Sequence, residues 1–293
     1  MSWYAGLEAI CRTDVPLRDY TWYRLGGPAR WFVTPRDEAE LAEVLRRLRA
    51  AGLPWHVLGR GANLIVRDDG PPGSVIHLTG PHWEAVHYDG PTVRAAAGAD
   101  FPKLVKQTVE RGLGGLEGLA GIPGTVGGAL RMNAGGKYGS FSDHLRDARL
   151  MTPDGAVVAR ARQELGFGYR TSAVGDAIVL EATFDLVPGD ATALRARYQA
   201  IWNEKYATQP PVSAHSAGCI FKNPPGAAAG ALLDRCGLKG VRCGGAEIST
   251  RHANFILAHE GATARDVLDL IELARARVRA ATGVELELEV QVW

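Results

Sequence analysis

At 293 residues the chain is long enough to bury a substantial core, and two or three structural units are expected. Its 33 Lys and Arg nearly balance 32 Asp and Glu, for a net charge of +1, which argues against a basic nucleic-acid surface. No stretch has the unbroken apolar length of a membrane helix, and MSWYAGLEAICRTDVPL lacks a signal-peptide apolar run, so a soluble protein is expected.

In chain order, WFVT (31–34) reads as a strand, followed by Thr34 as a helix cap, Pro35 at the first helical position and Asp37 as an early acid. Leu41, Val44, Leu45 and Leu48 form one helical stripe that Gly52 terminates. WHVLG (55–59) and LIVRD (64–68) read as strands joined by the glycine loop GRGAN. VRAAAGA (93–99) leads through Asp100 into a short helix with Leu104, Val105, Thr108 and Val109. Residues 112–136 are too rich in glycine for an ordinary helix, so tight turns or a close approach of backbone to a partner are expected.

Further along, ARLM-TPDG-AVVAR (148–160) reads as a hairpin, and AIVLEATFDLV (177–187) as a half-buried alternating strand. A helix from Asp190 carries Leu194, Tyr198, Ile201 and Trp202 on one face, and a shorter one covers 227–236. NFILAH (254–259) reads as a strand, and Thr263 with Asp266 caps a long helix burying Val267, Leu270, Ile271, Ala274 and Val278. The end, VELELEVQV (284–292), alternates with period two. The fold class is α+β, in units of 1–84, 85–189 and 190–293.

Four cysteines, at 11, 219, 236 and 243, show no CxxC pair. A metal site or disulfide framework is not expected, and a reducing cytoplasm fits. The histidines show no HxxxH pattern, and no metal is predicted. Cys219, in HSAGCIFKNP, sits at a turn before a short apolar segment. From the residues alone it is open between inert hydrophobe, metal or disulfide partner, nucleophile and proton donor.

Two glycine segments invite a nucleotide reading, and both fail the generic fingerprints. Gly59-Arg60-Gly61-Ala62-Asn63 runs into a strand rather than a helix, and Gly135-Gly136-Lys137 is followed by Tyr138 instead of Ser or Thr. A Rossmann domain and a P-loop are therefore disfavoured. Backbone amides in LGRGAN could still form an anion nest beside Arg60, although a plain connection explains that loop equally well. In AGIPGTVGGALRMNAGG, Gly121, Gly124, Gly127 and Gly128 are dense enough to favour a ligand lying across the backbone.

The segments LGRGANLIV, IPGTVGGALRMNAGG, FGYRTS, SAGCIFKNP, GLKG with GGAEIS, and LELEV occur here in that order. Together they resemble the UDP-N-acetylenolpyruvoylglucosamine reductases (UDP-N-acetylmuramate dehydrogenases) of bacterial peptidoglycan synthesis, from about TWYRLGGPA (21–29) to the C-terminus. The resemblance implies an FAD-binding fold of the vanillyl-alcohol-oxidase type in two subdomains (1–84 and 85–189) and an α+β substrate-binding domain (190–293). With no long insertion between 172 and 215, the chain resembles the compact type that lacks a substrate-covering tyrosine loop.

Further implications concern the site. FAD, bound non-covalently, would be held by Gly59, Arg60, Gly61, Ala62, Asn63, Leu64, Gly121, Pro123, Gly124, Thr125, Gly127, Gly128 and Asn133. NADPH would be the co-substrate and UDP-N-acetylglucosamine enolpyruvate the substrate, with no obligate protein partner. Arg170 is the family's arginine and Glu289 its glutamate, whereas Glu285, Glu287 and Glu289 all share one face of the terminal alternation. Cys219 stands where the family usually has serine, which implies that its thiol protonates C2. Tyr169, Lys222, Asn223, Lys239 and His252 would line the substrate pocket; a surface lysine and a core histidine are the bland alternatives for Lys239 and His252. Two rival readings are an FAD-dependent sugar or alcohol oxidase of the same fold and a silent UDP-sugar-binding protein.

Overall fold

The computed structural model describes residues 2–211 and 213–293. The chain forms two compact units, both discontinuous in sequence. One comprises Met1–Thr13, Trp31–Gly59 and Gly73–Glu204; the other comprises Asp14–Arg30, Arg60–Pro72 and Lys205–Trp293.

In the first unit, Ser74–His77 lies between Pro28–Val33 and Trp55–Leu58, parallel to both, with Ser74 opposite Trp31 on one side and Trp55 on the other. The helix Glu38–Ala50 connects Pro28–Val33 to Trp55–Leu58 and buries Leu41, Val44, Leu45 and Leu48, the expected stripe. Its cap differs from expectation. Asp37, not Thr34, accepts the Glu40 N–H at 2.9 Å, and Thr34-Pro35 lies outside the helix. An aspartate three residues before a free N–H competes well for the cap position. The strand Ser74–His77 was not anticipated, because SVIH is too short to show a period.

An antiparallel five-stranded sheet follows, in the order Val157–Ala161, Leu145–Met151, Ile178–Asp185, Thr92–Ala96, Val86–Asp89. The hairpin around TPDG pairs Met151 with Val157, as expected. Ile178–Asp185 is the middle strand and is buried at six of eight positions rather than on alternate ones. A central strand has core on both faces, so side-chain alternation does not report exposure there. Phe101, Phe141 and Phe184 interlock at ring separations of 5.5 and 5.1 Å in this unit's core.

The glycine-rich stretch does contain a helix, Val126–Arg131, whose cap Thr125 accepts the Gly128 N–H at 3.4 Å. Gly127 packs tightly there, since a Cβ would stand 3.0 Å from that of Ala97.

The second unit has its own core. The helix Ala264–Thr282 buries Val267, Leu270, Ile271, Ala274 and Val278 and starts in the expected capping box of Thr263 and Asp266. Asp68 caps it a second time from a distant stretch of chain, accepting the N–H groups of Ala264 at 2.9 Å and Arg265 at 3.0 Å. Ala246–Ile248 pairs antiparallel with Arg242–Cys243 and with Ile256–Ala258. The C-terminal alternation is largely not a ladder. Only Gln291–Val292 is a strand, parallel to Leu64–Ile65, and Leu288 bridges to Phe221.

Candidate active site

Cys219 lies in the second unit on a segment clamped from both sides. Gly218 turns the chain at φ 76°, and Ile220 and Phe221 then bury almost completely. The buried Asn254 grips Phe221 twice: its Oδ1 accepts the Phe221 N–H at 2.9 Å, and its Nδ2 donates to Phe221 O at 2.8 Å. On the other side Ile220 O accepts the Glu289 N–H at 2.8 Å, and Lys222 N–H donates to Glu287 O at 2.9 Å. These bonds bring Cys219 and Glu289 onto neighbouring segments of one unit. Both are part-exposed.

Glu289 also separates from its two neighbours. Glu285 and Glu287 are exposed, whereas Glu289 is half-buried, and its carbonyl accepts the Asn63 Nδ2–H at 3.1 Å. A strand face that merely met solvent would leave all three alike. Burial therefore distinguishes the glutamate that the alternation could not.

Arg170 belongs to the first unit. Gly168 and Thr171 exchange backbone hydrogen bonds of 3.1 and 3.4 Å, so Tyr169 and Arg170 form the tip of a closed turn. Arg170 has φ 57°, a left-handed conformation that costs a non-glycine residue about 1–2 kcal/mol. Its guanidinium stands 5.0 Å from the centre of the Tyr169 ring, and that ring is 51% exposed. The pair presents a cation and an aromatic face rather than a core contact.

The glycines that suggested a ligand have several causes. Gly61, at φ 61°, is required by packing, because a Cβ would lie 2.3 Å from Tyr20 O. Gly59 closes the Trp55–Leu58 strand with no room for a Cβ beside Thr125 Oγ1. Gly124 differs: at φ 118° it has open space where a Cβ would stand, so the IPGTVGG backbone is uncovered there. That open backbone face, in front of a capped helix start, is what a diphosphate-bearing cofactor needs.

A family model described as FAD binding domain matches residues 29–160, and one described as UDP-N-acetylenolpyruvoylglucosamine reductase, C-terminal domain, matches 209–293. The UDP-N-acetylenolpyruvoylglucosamine reductase 2 of Symbiobacterium thermophilum is 43% identical over 284 residues, 96% of this chain and 92% of its own. The chain belongs to the UDP-N-acetylenolpyruvoylglucosamine reductase family. A second family member, from Moorella thermoacetica, is 42% identical over 98% of this chain and 95% of its own. The crystal structure of the reductase from Thermus caldophilus matches with a TM-score of 0.84 at 41% identity, covering 97% of this chain and 99% of that one. The α+β fold expected from the residues and the FAD-binding domain implied by the resemblance are thus those of the family. Among the described residues, no helix is long and apolar enough to cross a membrane.

For this family member the expected substrate-lining residues divide by what they touch. Lys222 Nζ lies 3.4 Å from Glu287 Oε2, and Lys239 Nζ 2.7 Å from Asp234 Oδ2, so both ammonium groups sit beside carboxylates. Asn223 Oδ1 accepts the Ala229 N–H at 3.0 Å, at the start of the Ala229–Arg235 helix. His252 Nδ1 accepts the Asn254 N–H at 3.2 Å, and burial, with the charge of Lys239 adding to it, holds this imidazole below its ordinary value. His252 is therefore neutral near pH 7, with its proton on Nε2.

Asn133 has its amide engaged at both ends, donating to Gly168 O at 2.9 Å and accepting from Ser142 N at 3.1 Å. Sequence reasoning passed over Asn254, Arg131 and Ser172, which hold the Cys219 segment and the Arg170 turn. Their signal is a polar residue beside a motif, and only its bonding partner gives that meaning.

Proposed function

We propose that this chain reduces the enolpyruvyl ether of UDP-N-acetylglucosamine enolpyruvate to UDP-N-acetylmuramate, with NADPH as co-substrate. The observation that carries the reading is 43% identity to a family member over 96% of the chain. FAD, when bound, would supply the hydride-transfer chemistry that links NADPH to C3 of the ether. Residues suited to hold it are Gly59, Arg60, Gly61, Ala62, Asn63 and Leu64 in one loop, with Gly121, Pro123, Gly124, Thr125, Gly127 and Gly128 in the other. The open backbone at Gly124 supports that placement.

Addition at C3 leaves negative charge over C2 and the adjoining carboxylate. Arg170 grips that carboxylate through two parallel hydrogen bonds, which strengthen as the charge develops. The Cys219 thiol delivers its proton to C2 and is reprotonated from solvent. A neutral thiol can serve as the general acid for this step. Glu289 accompanies the donor, orienting it or bonding the enolised carboxylate. Tyr169, Lys222, Asn223, Lys239 and His252 surround the sugar nucleotide, whose cover does not come from a tyrosine loop. In this reading 1–84 and 85–189 serve FAD and 190–293 serves the substrate. A cytoplasmic setting keeps Cys219 reduced.

The test is anaerobic reduction of the FAD-loaded protein with NADPH, followed by addition of the enolpyruvyl ether while flavin absorbance is recorded. Prompt reoxidation with formation of UDP-N-acetylmuramate is expected. A flavin that reduces but ignores the ether would overturn the assignment and favour a sugar oxidase.

A further inference from the structure

The turn that presents Arg170 is short, strained and exposed at its tip, so something must hold it. Its own backbone closes it through bonds of 3.1 and 3.4 Å between Gly168 and Thr171 and one of 2.8 Å from Ala173 N–H to Leu165 O, none of which reaches outside the turn. Side-chain attachments to its flanks come from Arg131, the last residue of the Val126–Arg131 helix, and from Asn133 just beyond it. Asn133 Nδ2 donates to Gly168 O at 2.9 Å, immediately before the tip. Ser172 Oγ donates to Arg131 O at 2.8 Å, immediately after it. Arg131 Nη1 donates to Gly175 O at 2.8 Å, three residues further on. The tip is therefore pinned on both flanks to one short piece of chain.

That piece is itself fixed. Asn133 is 8% exposed, its Oδ1 accepts the Ser142 N–H at 3.1 Å, and its own N–H donates to Leu130 O at 2.9 Å. It adopts φ 40°, a conformation that asparagine tolerates better than most residues. Its side chain is thus directed at the Arg170 turn and away from the role of a simple glycine-loop residue.

We propose that Arg131 and Asn133 are positioning residues for Arg170, transmitting the rigidity of the IPGTVGG loop and its helix to the guanidinium that grips the substrate carboxylate. The inference rests on the reading of Arg170 given above. A guanidinium held in place meets the developing charge without a search through conformations, and a displacement of about 1 Å can lower such a rate about 10²-fold. The effect falls on the substrate half of the reaction, where the carboxylate charge that Arg170 meets develops.

The decisive comparison uses FAD-loaded wild type, Asn133→Gly, Ser172→Ala, Arg170→Ala and the double variant Asn133→Gly/Arg170→Ala. Glycine is chosen because it accepts φ 40° while removing the amide, so loss of the turn conformation is not what is measured. Each half-reaction is followed anaerobically by flavin absorbance, and binding of UDP-N-acetylmuramate to the oxidised protein by calorimetry. Asn133→Gly is expected to slow the ether half-reaction about tenfold to a hundredfold relative to the NADPH half-reaction of the same variant. It should also weaken UDP-N-acetylmuramate binding, as Arg170→Ala does, and the double variant should be no slower than Arg170→Ala alone.

The proposal falls if the two losses multiply, if Asn133→Gly leaves the ratio of the halves at its wild-type value, or if it loses FAD and slows both halves equally. If Asn133→Gly does not fold, Ser172→Ala carries the same comparison with Arg170→Ala. A wild type that NADPH reduces but the ether does not reoxidise defeats the functional reading itself, before any variant is compared.

Discussion

Four thiols in this chain share one chemistry, and their surroundings separate them. Burial, with Glu8 adding to it, pushes the Cys11 thiol up to about 11, so it stays protonated and shielded. Cys219 is part-exposed beside a turn. Iodoacetamide at pH 7.5 should therefore label Cys219 well before Cys11, read by peptide mass mapping; equal rates would contradict this. In the reaction, Cys219→Ala should still be reduced by NADPH, while its reoxidation by the ether slows about 10²- to 10⁴-fold. Cys219→Ser, which keeps a proton on the same atom position, should recover most of that loss. Glu289 was inseparable from Glu285 and Glu287 by spacing, and its half-burial is the physical difference between them.

At the scale of elements, the ends of helices carry the most legible and the most fragile information. The Thr263–Asp266 box was readable from four consecutive residues, because both capping partners are local. Thr263→Ala should cost about 1 kcal/mol, read as a lowered melting temperature. The backbone N–H groups of Thr263 and Gly245 hold the Asp266 carboxyl below its ordinary value. A depressed carboxyl stabilises the fold at pH values above the unfolded value of about 3.9, and that contribution disappears as pH falls through the depressed one. The melting-temperature gap between wild type and Asp266→Asn should thus be full at pH 6 and close as pH falls below the ordinary carboxylate range; a gap independent of pH would refute it. Asp68, the second cap, lies 196 positions before Ala264, and no local pattern announces it.

For the whole molecule, two cores that share no residue divide the stability. Phe184 belongs to one and Leu270 to the other, and both are fully buried. Leu270→Ala should cost about 2–5 kcal/mol and Phe184→Ala about 3–5 kcal/mol. Amide exchange should report the difference by location. Leu270→Ala should speed exchange in Ala264–Thr282 more than in Ile178–Asp185, and Phe184→Ala should do the reverse; uniform acceleration by either would show a single cooperative unit. The division also explains why chain order misleads. The unit that holds Cys219 and Glu289 takes in Asp14–Arg30 and Arg60–Pro72, so the LGRGAN loop changes units between Gly59 and Arg60.

By itself the sequence determined whatever depends on neighbours in the chain. The stripe Leu41–Leu48, the hairpin around TPDG and the Thr263 box follow from local periods and caps, and the motifs from LGRGAN to LELEV carry the family. Tertiary structure alone decided what depends on partners far along the chain. Ile178–Asp185 is central rather than half-exposed because strands lie on both sides of it. Gly61 is required by the backbone at Tyr20, while Gly124 faces open space. Asn254 and Asn133 acquire their roles from Phe221 and Gly168, 33 and 35 residues away. A hydrogen bond is satisfied by proximity in space, and proximity across such distances is a property of the fold.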